Sequence, residues 1–498
     1  MLPIRGILVL ALAFAFSVVG LESGRVYRYG KRADFRIPRS QLAKLKRTYP
    51  ANPEIVVGRH NRFYQKSFSY DNHRCPSRPY AVFIPKSIEE TQAVVRLIGQ
   101  YNQTFVLLSG GHDFECASSS TGAVVNLRRL NHYSIDKKNL RYTVGPGVVS
   151  KQILDALKGT GLQAVIGGCL TVGVVGWTLG GGYNDQISNI YGLGSTNVLE
   201  AKVILSDGRL VTATRDNEYK DLLWAVMGAG GGKFGVVVEM TARLHRMKPL
   251  DYREARYRFP KHAIMMRDFV ADVIDLVDNK IPSDSDNNLG KWSVGEIYLR
   301  SVCVDCGLAA IYKDFDRKWS KYQIFFQYNS TNNVKNGGGH LDINWESITA
   351  DPAEYYSKES NFELVSFIFQ GKKPPVHLVV NEYLLDIQNT GVFVSEIHNV
   401  GKSPALTSYP YVNGTWLAYI HLETKPEQKL EVKLFHQRIK ALIEVVRQLP
   451  SYLGSYVNVP SCLIPEEAAY LKQNYDQVKK ILSKYDPNLM FKRPPCHS

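Results

Sequence analysis

The sequence predicts an α+β protein, and three observations carry that prediction. The first half of the chain alternates short apolar runs with helices that begin at recognisable capping residues. From about Tyr252 to Gln448 the pattern changes to longer aromatic strands and amphipathic helices. The 498 residues, of which 44% are hydrophobic, are enough for two or three packed units.

The elements of the first half follow from local signals. Ser87 is predicted to cap a helix, and Glu90 is predicted to complete a capping box. The apolar run Phe105–Leu108 predicts a short buried strand. Ser150 is predicted to cap a second helix, which ends at the glycines of 159–161. Further strands are predicted at 124–127, 142–145, 198–205 and 236–238, a turn at 206–208, and a long C-terminal helix at 466–484.

Two glycine-rich stretches are the most informative feature of the sequence. The first is Ser-Gly-Gly-His-Asp at 109–113, directly after the predicted strand, and successive backbone N–H groups of such a turn can point into a concavity that suits a pyrophosphate. In the second, seven of the sixteen residues at 167–182 are glycine, which suits a backbone passing close to a flat or charged group. A tight turn with a surface histidine is the ordinary alternative for a single Gly-Gly-His, and the second stretch weighs against it.

Both stretches resemble the flavin-attachment signature of the berberine bridge enzyme-like FAD oxidases. In that family a histidine at the place of His112 bonds the 8α carbon of the flavin, and a cysteine at the place of Cys169 bonds C6. The resemblance therefore implies FAD held by two covalent bonds. It also implies that further residues contact this cofactor, namely Ser109, Gly110, Gly111, Asp113, Thr171, Gly173, Gly176, Gly181, Gly182 and Val237.

The resemblance covers most of the chain and implies its organisation. It is strongest over residues 79–245 and specific again over 456–491, where the family has a Tyr-x-Asn-Tyr strand. The implied fold is a two-lobed FAD-binding PCMH-type domain plus a substrate domain with an antiparallel sheet and covering helices. The expected boundaries are a signal peptide at 1–20, the FAD-binding domain at 21–250, the substrate-binding domain at 251–450, and a segment at 451–498 that returns to the FAD-binding domain.

A third glycine run has a rival interpretation. Residues 230–235 contain the G-x-G-x-x-G pattern of dinucleotide-binding Rossmann folds. That motif must follow a strand and open a helix, whereas this run precedes the strand-like residues 236–238. The run instead resembles a later FAD-contacting loop of the family, in which Lys233 stands where a neutral residue is expected.

The chain departs from the family at the position of the catalytic base. Many members place a tyrosine directly after the asparagine that corresponds to Asn458, whereas this chain has Val459, which cannot accept a proton. The strand at 417–421 resembles the substrate-facing strand of the family, and Tyr419 and His421 share one of its faces. His421 is therefore predicted as the general base, because histidine titrates near neutrality. An ordinary strand histidine is the alternative, and the substitutes as base are Tyr419, Tyr409, Tyr411 and Tyr456.

Val172 carries the prediction about oxygen. In the family, the side chain at this place lies over the flavin face that oxygen approaches. A valine there is typical of oxidases, whereas leucine or isoleucine is typical of dehydrogenases. Val172 therefore favours an oxidase, and plain core packing is the alternative for a lone valine.

The N-terminal segment predicts secretion. Arg5 precedes an apolar run at 7–16, and smaller residues follow at 17–20, which is the pattern of a secretory signal peptide. No later stretch approaches the roughly 20 apolar residues of a membrane helix, so no membrane insertion is predicted. Three N-glycosylation sequons agree with secretion, at Asn102, Asn329 and Asn413.

The cysteine count agrees with an oxidising compartment. If Cys169 is consumed by the flavin, the other six of the seven cysteines can pair fully. Cys303 and Cys306 have a C-x-x-C spacing, but no second pair or histidine cluster accompanies them. A local disulfide is therefore predicted rather than a zinc site, and no metal is expected.

The formal net charge of +15 raises the question of nucleic acid. Basic residues are scattered, with only short clusters such as 44–47 and no basic helix interleaved with aromatic residues. A basic surface is therefore predicted without a nucleic-acid partner. The expected partners are a small-molecule substrate and O2.

These observations together predict a secreted FAD-dependent oxidase. The expected reaction converts a small secondary alcohol to a carbonyl compound while O2 is reduced to H2O2. An aromatic cyanohydrin such as mandelonitrile is one expected substrate, because its C–H bond is activated and some arthropod members of this broad family oxidise it. The alternatives are a carbohydrate oxidase, an oxidative cyclase of an alkaloid-like molecule, and a flavin dehydrogenase. A non-enzymatic binding protein would leave the presence of both His112 and Cys169 unexplained.

Overall fold

A computed structural model describes residues 35–491, apart from 69, 71–74, 76–77, 114, 261–264, 283–284, 294–295, 331–360, 371–391, 403–405, 412, 425–428 and 465–466. The predicted signal peptide lies outside the described residues. Helices and strands alternate through the first half, and long antiparallel strands dominate the second. The predicted α+β class is therefore confirmed.

The first sheet consists of four short strands, β1 (Val56–Gly58), β2 (Ala81–Phe83), β3 (Phe105–Leu108) and β4 (Ala123–Asn126). Their order is β1-β2-β4-β3, with β2, β4 and β3 parallel and β1 antiparallel. The parallel strands are apolar and almost entirely buried, as a sheet covered on both faces requires. The strand predicted at Phe105–Leu108 is confirmed, and it ends directly before the first glycine stretch.

The second sheet has six strands, β5 (Tyr133–Asp136), β6 (Arg141–Val144), β7 (Leu162–Ala164), β8 (Val198–Ile204), β9 (Leu210–Thr214) and β10 (Val236–Arg246). Their order is β5-β6-β10-β8-β9, and β7 pairs with one end of β10. Residues 230–235 thus lead into the long central strand of an antiparallel sheet. This context agrees with the rejection of the Rossmann interpretation.

The third sheet has eight strands, β11 (Leu250–Arg258), β12 (Asp286–Ser293), β13 (Glu296–Val304), β14 (Gln323–Ser330), β15 (Asn361–Gln370), β16 (Val392–Lys402), β17 (Asn413–Thr424) and β18 (Tyr452–Gly454). Their order is β14-β11-β13-β12-β16-β17-β15-β18, with antiparallel pairing. The C-terminal segment thus supplies the edge strand of this sheet.

The helices of the described ranges are α1 (Arg39–Thr48), α2 (Ile88–Gln100), α3 (Ser150–Leu157), α4 (Val174–Leu179), α5 (Ser188–Tyr191), α6 (Lys220–Val226), α7 (Met265–Asn279), α8 (Leu308–Trp319), α9 (Lys429–Arg447), α10 (Ala468–Leu471) and α11 (Tyr475–Tyr485). None of them has the length and apolar character needed to cross a bilayer.

Helices α8 and α9 cover one face of the eight-stranded sheet. Arg253 on β11 is ion-paired with Asp316 of α8, and Glu363 on β15 lies 3.0 Å from the Nε2 atom of His436 on α9. The strand register places Arg253 and Glu363 on the same face. The other face of the eight-stranded sheet therefore points away from α8 and α9.

Two capping predictions need correction. Ser87 does cap α2, because its Oγ accepts the N–H of Glu90 at 3.1 Å. The Glu90 carboxylate, however, accepts the N–H of Lys86 at 2.7 Å, so the reciprocal half of the capping box points one residue further back. Ser150 is the first residue of α3 rather than its cap, and its N–H is used by another segment.

The C-terminal elements also differ from expectation. The helix predicted at 466–484 is interrupted, because Lys472 adopts a φ of +45° between α10 and α11. Such a conformation is costly outside glycine, and it ends the helical hydrogen-bond pattern. Residues 456–459 form a turn rather than a strand, in which the N–H of Val459 donates to the Tyr456 carbonyl at 3.0 Å.

The described cysteines include two complete disulfides, Cys75–Cys116 and Cys303–Cys306, and Cys462 is also disulfide-bonded. The predicted local disulfide at the C-x-x-C spacing is confirmed. Asp251 lies beside it and accepts the N–H of Gly307 at 2.6 Å, at the start of α8. The thiol of Cys169 is exposed and takes no part in these disulfides.

Candidate flavin site

The first glycine stretch is a turn at the end of β3 whose carbonyls are held from one side. The Arg128 guanidinium donates to the carbonyls of Ser109 and Gly110 at 2.7 and 2.8 Å, and the Ser109 hydroxyl donates to the Pro146 carbonyl at 2.5 Å. Gly111 has a φ of +86°, which favours glycine. A turn with its carbonyls fixed in this way is suited to offering N–H groups to an anion.

The second glycine stretch lies directly against the first. A Cβ on Gly110 would lie 2.5 Å from the backbone nitrogen of Gly173, and a Cβ on Gly173 would lie 2.3 Å from the Ser109 hydroxyl. Side chains at either position would therefore separate the two segments. The structure thus brings together, backbone to backbone, the two stretches that the sequence singles out.

His112 and Cys169 each belong to one of the two stretches that form this junction. The Nε2 atom of His112 lies 2.7 Å from the hydroxyl of Thr171, and His112 is half-buried. Cys169 is exposed, and its carbonyl accepts the N–H of Val172 at 3.2 Å, which closes a turn around Thr171. Two nucleophilic side chains are therefore presented by neighbouring loops, as attachment to a single ring requires.

Helix α3 holds the second stretch from behind. The N–H of Ser150 donates to the Val172 carbonyl at 3.0 Å, and the N–H of Lys151 donates to the Leu170 carbonyl at 2.9 Å. These N–H groups belong to the first helical turn, which leaves them without intrahelical partners. Val172 itself is half-buried, and its Cγ1 atom would lie 2.8 Å from a Cβ on Gly167.

The glycines at 180–182 receive the C-terminal segment. A Cβ on Gly180 would overlap the side chain of Asn458. Gly181 and Gly182 have φ of +109° and +72°, which favour glycine. Asn458 Nδ2 donates to the Trp177 carbonyl at 2.7 Å, and the N–H of Tyr183 donates to the Tyr456 hydroxyl at 2.9 Å. Burial raises the pKa of Tyr456 to about 12, so this hydroxyl stays protonated and serves as a hydrogen-bonding group.

The remaining predicted cofactor residues lie around this junction or behind it. Gly176 is in α4, where a Cβ would lie 3.9 Å from the Ser109 side chain. The Asp113 carboxylate accepts the N–H of Ala117 at 2.8 Å and so fixes the turn that follows. Val237 is buried in β10, paired with β8. Lys233, the residue that departs from the expected pattern, is ion-paired with Glu467 of the C-terminal segment.

Strand β17 brings Tyr419 to the face of the eight-stranded sheet opposite helices α8 and α9. The Tyr419 ring centre lies 6.3 Å from that of Tyr456, and Tyr419 is paired in register with Ser366. The hydroxyl of Ser366 accepts the N–H of Tyr456 at 2.9 Å, which ties this face to the C-terminal turn. The side chain of His421 lies outside the described residues, so its role as general base stays a prediction.

Two of the substitute tyrosines are packed away. Tyr409 is buried, and its ring would lie 2.9 Å from a Cβ on Gly181. The Tyr411 hydroxyl donates to the Ala469 carbonyl at 2.7 Å. Burial raises the pKa of both hydroxyl groups above the ordinary range. Tyr409 thus packs against the glycine run and Tyr411 against the C-terminal segment, and their role as substitute bases stays a prediction.

A charged cluster on the same sheet face was missed from the sequence. Arg300 on β13 donates from Nη2 to Oδ2 of Asp185 at 2.7 Å. Glu254, which pairs with Arg300 across β11 and β13, is buried and accepts the Tyr252 hydroxyl at 2.6 Å. Glu254, Arg256 and Arg258, at every second position in the second half of strand β11, were the available signal. Asp185 gave none, because 115 residues separate it from its partner.

Electrostatics keep this cluster charged. Burial by itself lowers the pKa of Arg300, but the Asp185 carboxylate, with Tyr298 and Tyr252 nearby, raises that pKa above the ordinary range. Burial raises the pKa of Tyr252, so its hydroxyl remains a donor to Glu254. Arg300 therefore stays charged at neutral pH and holds the Asp185 carboxylate at 2.7 Å.

The variant Gly110→Ala is expected to destabilise the protein, because the new Cβ would lie 2.5 Å from the backbone nitrogen of Gly173. Overpacking of this kind costs about 1–3 kcal/mol. Denaturant unfolding measures the loss, and Gly58→Ala is the matched control because its Cβ would have nothing within 4 Å. Equal unfolding midpoints for the two variants would contradict the backbone contact of the two stretches.

The sequence of the first half matches a known domain family. Residues 79–214 match the FAD binding domain. The FAD-linked oxidoreductase pgmH of Aspergillus terreus is 34% identical over 174 residues, which cover 34% of this chain and 35% of that protein. The aligned part thus spans about one third of the length of this curated relative.

Solved structures extend the similarity to nearly the whole chain. The berberine bridge enzyme-like 1 protein of Physcomitrella patens is 19% identical with a TM-score of 0.76, over 91% of this chain and 99% of its own. Phl p 4 is 18% identical with a TM-score of 0.74, over 92% and 99%. Its wild type is named a glucose dehydrogenase and its isoleucine-to-valine variant a glucose oxidase.

Residues 79–214 thus match an FAD binding domain, which supports FAD as the cofactor. The predicted resemblance to the berberine bridge enzyme-like FAD-linked oxidases, and the fold that it implies, are confirmed. The curated relative is named an FAD-linked oxidoreductase.

Proposed function

We propose that the chain is an oxidase whose FAD is bound covalently to both His112 and Cys169. The observation that carries this proposal is the junction of the two glycine stretches, where both nucleophiles lie within one turn of Thr171. Bound FAD would supply the two-electron oxidation of a carbon centre and the subsequent reduction of O2 to H2O2.

The residues at the junction fit this cofactor. Gly111 with its positive φ, and Gly110 and Gly173 with no room for a Cβ, let the backbone approach a flat or anionic group closely. An exposed thiol and a half-buried imidazole are the nucleophiles that covalent attachment requires. We propose that residues 21–250 form the FAD-binding domain, with 251–450 as the substrate-binding domain and 451–498 returning to the first.

Val172 favours an oxidase over a dehydrogenase. A valine that served only core packing would be expected to be fully buried, whereas Val172 is half-buried at the loop that carries Cys169. In Phl p 4, the wild type is named a dehydrogenase and an isoleucine-to-valine variant an oxidase. We propose that Val172 likewise leaves the flavin open to O2.

A small secondary alcohol is the proposed substrate, with an aromatic cyanohydrin such as mandelonitrile as the example. Tyr419 gives the sheet face opposite α8 and α9 an aromatic side chain, which suits a substrate that carries a ring. Oxidation of a carbohydrate is the second candidate, and the name of the Phl p 4 variant as a glucose oxidase favours it.

Secretion is proposed from the N-terminal pattern together with the disulfides. Cys75–Cys116 and Cys303–Cys306 are compatible with an oxidising compartment. Asn102 follows α2 and is exposed, so its sequon is accessible for glycosylation. The side chains of Asn329 and Asn413 lie outside the described residues.

Peroxide formation across a panel of alcohols, cyanohydrins and sugars tests the proposed reaction. We expect H2O2 with secondary alcohols such as mandelonitrile, together with bleaching of the flavin and recovery of its colour in air. Faster turnover of a sugar would favour the carbohydrate oxidase. A bleached flavin that stays bleached in air would identify a dehydrogenase and contradict the oxidase.

A further inference from the structure

The ion pair of Asp185 and Arg300 joins the loop after the 180–182 glycines to the eight-stranded sheet. The Nη2 atom of Arg300 lies 2.7 Å from Oδ2 of Asp185. The Arg300 side chain is 13% exposed, whereas that of Asp185 is 24% exposed. The carboxylate is therefore the more accessible partner, and the arginine anchors it from the sheet.

Asp185 also lies against the loop that carries Cys169. A Cβ on Gly168, the residue next to Cys169, would lie 4.0 Å from Oδ1 of Asp185. The arginine binds Oδ2, so the two carboxylate oxygens have different surroundings. Oδ2 faces the arginine, and Oδ1 lies towards the proposed attachment loop.

The proposed linkage tells which edge of the flavin this loop would meet. In the isoalloxazine ring, C6 is separated from N5 by a single ring carbon, so a cysteine bonded to C6 marks the N5 edge. Substrate hydride is delivered to N5 in flavin-dependent alcohol oxidation. A carboxylate beside Cys169 is therefore beside the edge at which the substrate must react.

We propose that Asp185 is the general base of the reaction, an inference that rests on the proposed function. The substrate O–H bond breaks and its proton passes to Oδ1 of Asp185, while the hydrogen of the C–H bond leaves with its electron pair as hydride to the flavin. The C=O bond forms, and the proton leaves Asp185 to water with the product. Asp185 thus does the work that Val459 cannot do.

The groups around the carboxylate suit this role. Arg300 on β13 anchors Oδ2 of Asp185 at 2.7 Å, which fixes the position of the carboxylate. Glu254 faces Arg300 across the strand pair, and it is already engaged with the Tyr252 hydroxyl and with Arg256. Asp185 is consequently the carboxylate of this cluster that combines exposure with proximity to Cys169.

The test compares Asp185→Asn with the unmodified holoenzyme in two measurements. Anaerobic flavin reduction by the most reactive compound of the panel should slow by about 10²–10⁴-fold, and the acidic limb of its pH profile should disappear. Sulfite, which adds reversibly to N5 of oxidised flavins and bleaches them, should bind about tenfold or more tightly, because a negative charge beside N5 has been removed.

Three variants make the test specific. Asp155→Asn is the control, because Asp155 pairs with Lys151 on an exposed helix surface, and neither measurement should change. Asp185→Glu keeps the charge and should keep the sulfite affinity, so it serves if Asp185→Asn does not fold. His421→Ala tests the rival base in the same reduction assay.

The outcomes separate this inference from the proposed function. If sulfite bleaches the unmodified protein but Asp185→Asn changes neither sulfite affinity nor reduction rate, the oxidase stands and Asp185 is a structural ion pair. A lowered melting temperature alone would also overturn the inference. Failure of the unmodified protein to retain flavin or to form H2O2 would instead contradict the proposed function.

Discussion

Flavin is expected to leave the denatured protein only when both attachment residues are changed. After acid precipitation, the pellets of the unmodified protein, His112→Ala and Cys169→Ala should stay yellow, because one covalent bond suffices to retain the ring. Each single variant should show a shifted visible spectrum. His112→Ala/Cys169→Ala should release all of its flavin into the supernatant, and absorbance of the two fractions measures the result.

His132→Ala is the matched control for this experiment. His132 is exposed, lies 3.0 Å from Glu239 and belongs to neither glycine stretch, so its removal should leave the colour in the pellet. Colour lost from the unmodified protein would end the claim of covalent attachment. Complete release from one single variant would reduce the claim to one bond.

The features that could be predicted from the sequence depend on short spans of chain. The strand Phe105–Leu108 follows from a run of four apolar residues. The start of α2 follows from the Ser87 hydroxyl, which accepts the N–H of the residue three positions later. The local disulfide of Cys303 and Cys306 needs only three residues of separation. These signals act within one or two turns, so tertiary contacts did not override them.

The errors occur where a distant segment competes for the same atoms. Ser150 was expected to cap α3, but its N–H donates to the carbonyl of Val172, twenty-two residues later in the chain. Lys472 adopts a positive φ between α10 and α11, a conformation that helical periodicity does not reveal. The spacing of residues along the chain does not reveal conformations that depend on tertiary structure.

The candidate site divides in the same way. Glycine density and the placement of His112 and Cys169 pointed to the junction. Two backbones that approach closely require glycine, and glycine is recognisable in the sequence. The pairing of Asp185 with Arg300 had no local signal, since a loop and a strand 115 residues apart supply its two halves. The same long-range assembly places this pair beside the Cys169 loop.

Oxygen access is the property that separates the proposed oxidase from a dehydrogenase, and Val172→Leu is expected to remove it. Val172 packs closely against Gly167, since a Cβ on Gly167 would lie only 2.8 Å from the Cγ1 atom of Val172. A longer side chain has little room on that side, so we expect it to extend away from Gly167. That extension should obstruct the proposed flavin face. Reoxidation by air should slow by at least about tenfold, equivalent to ~1.4 kcal/mol on the barrier.

Stopped-flow measurement of the two half-reactions checks this expectation. Val172→Leu should slow the reoxidation of reduced protein by O2 far more than it slows flavin reduction by substrate, because only oxygen needs the obstructed face. Val172→Ala is the matched control, since it shortens the side chain and should reoxidise at the unmodified rate. Equal slowing of both half-reactions in Val172→Leu would make Val172 an ordinary packing residue.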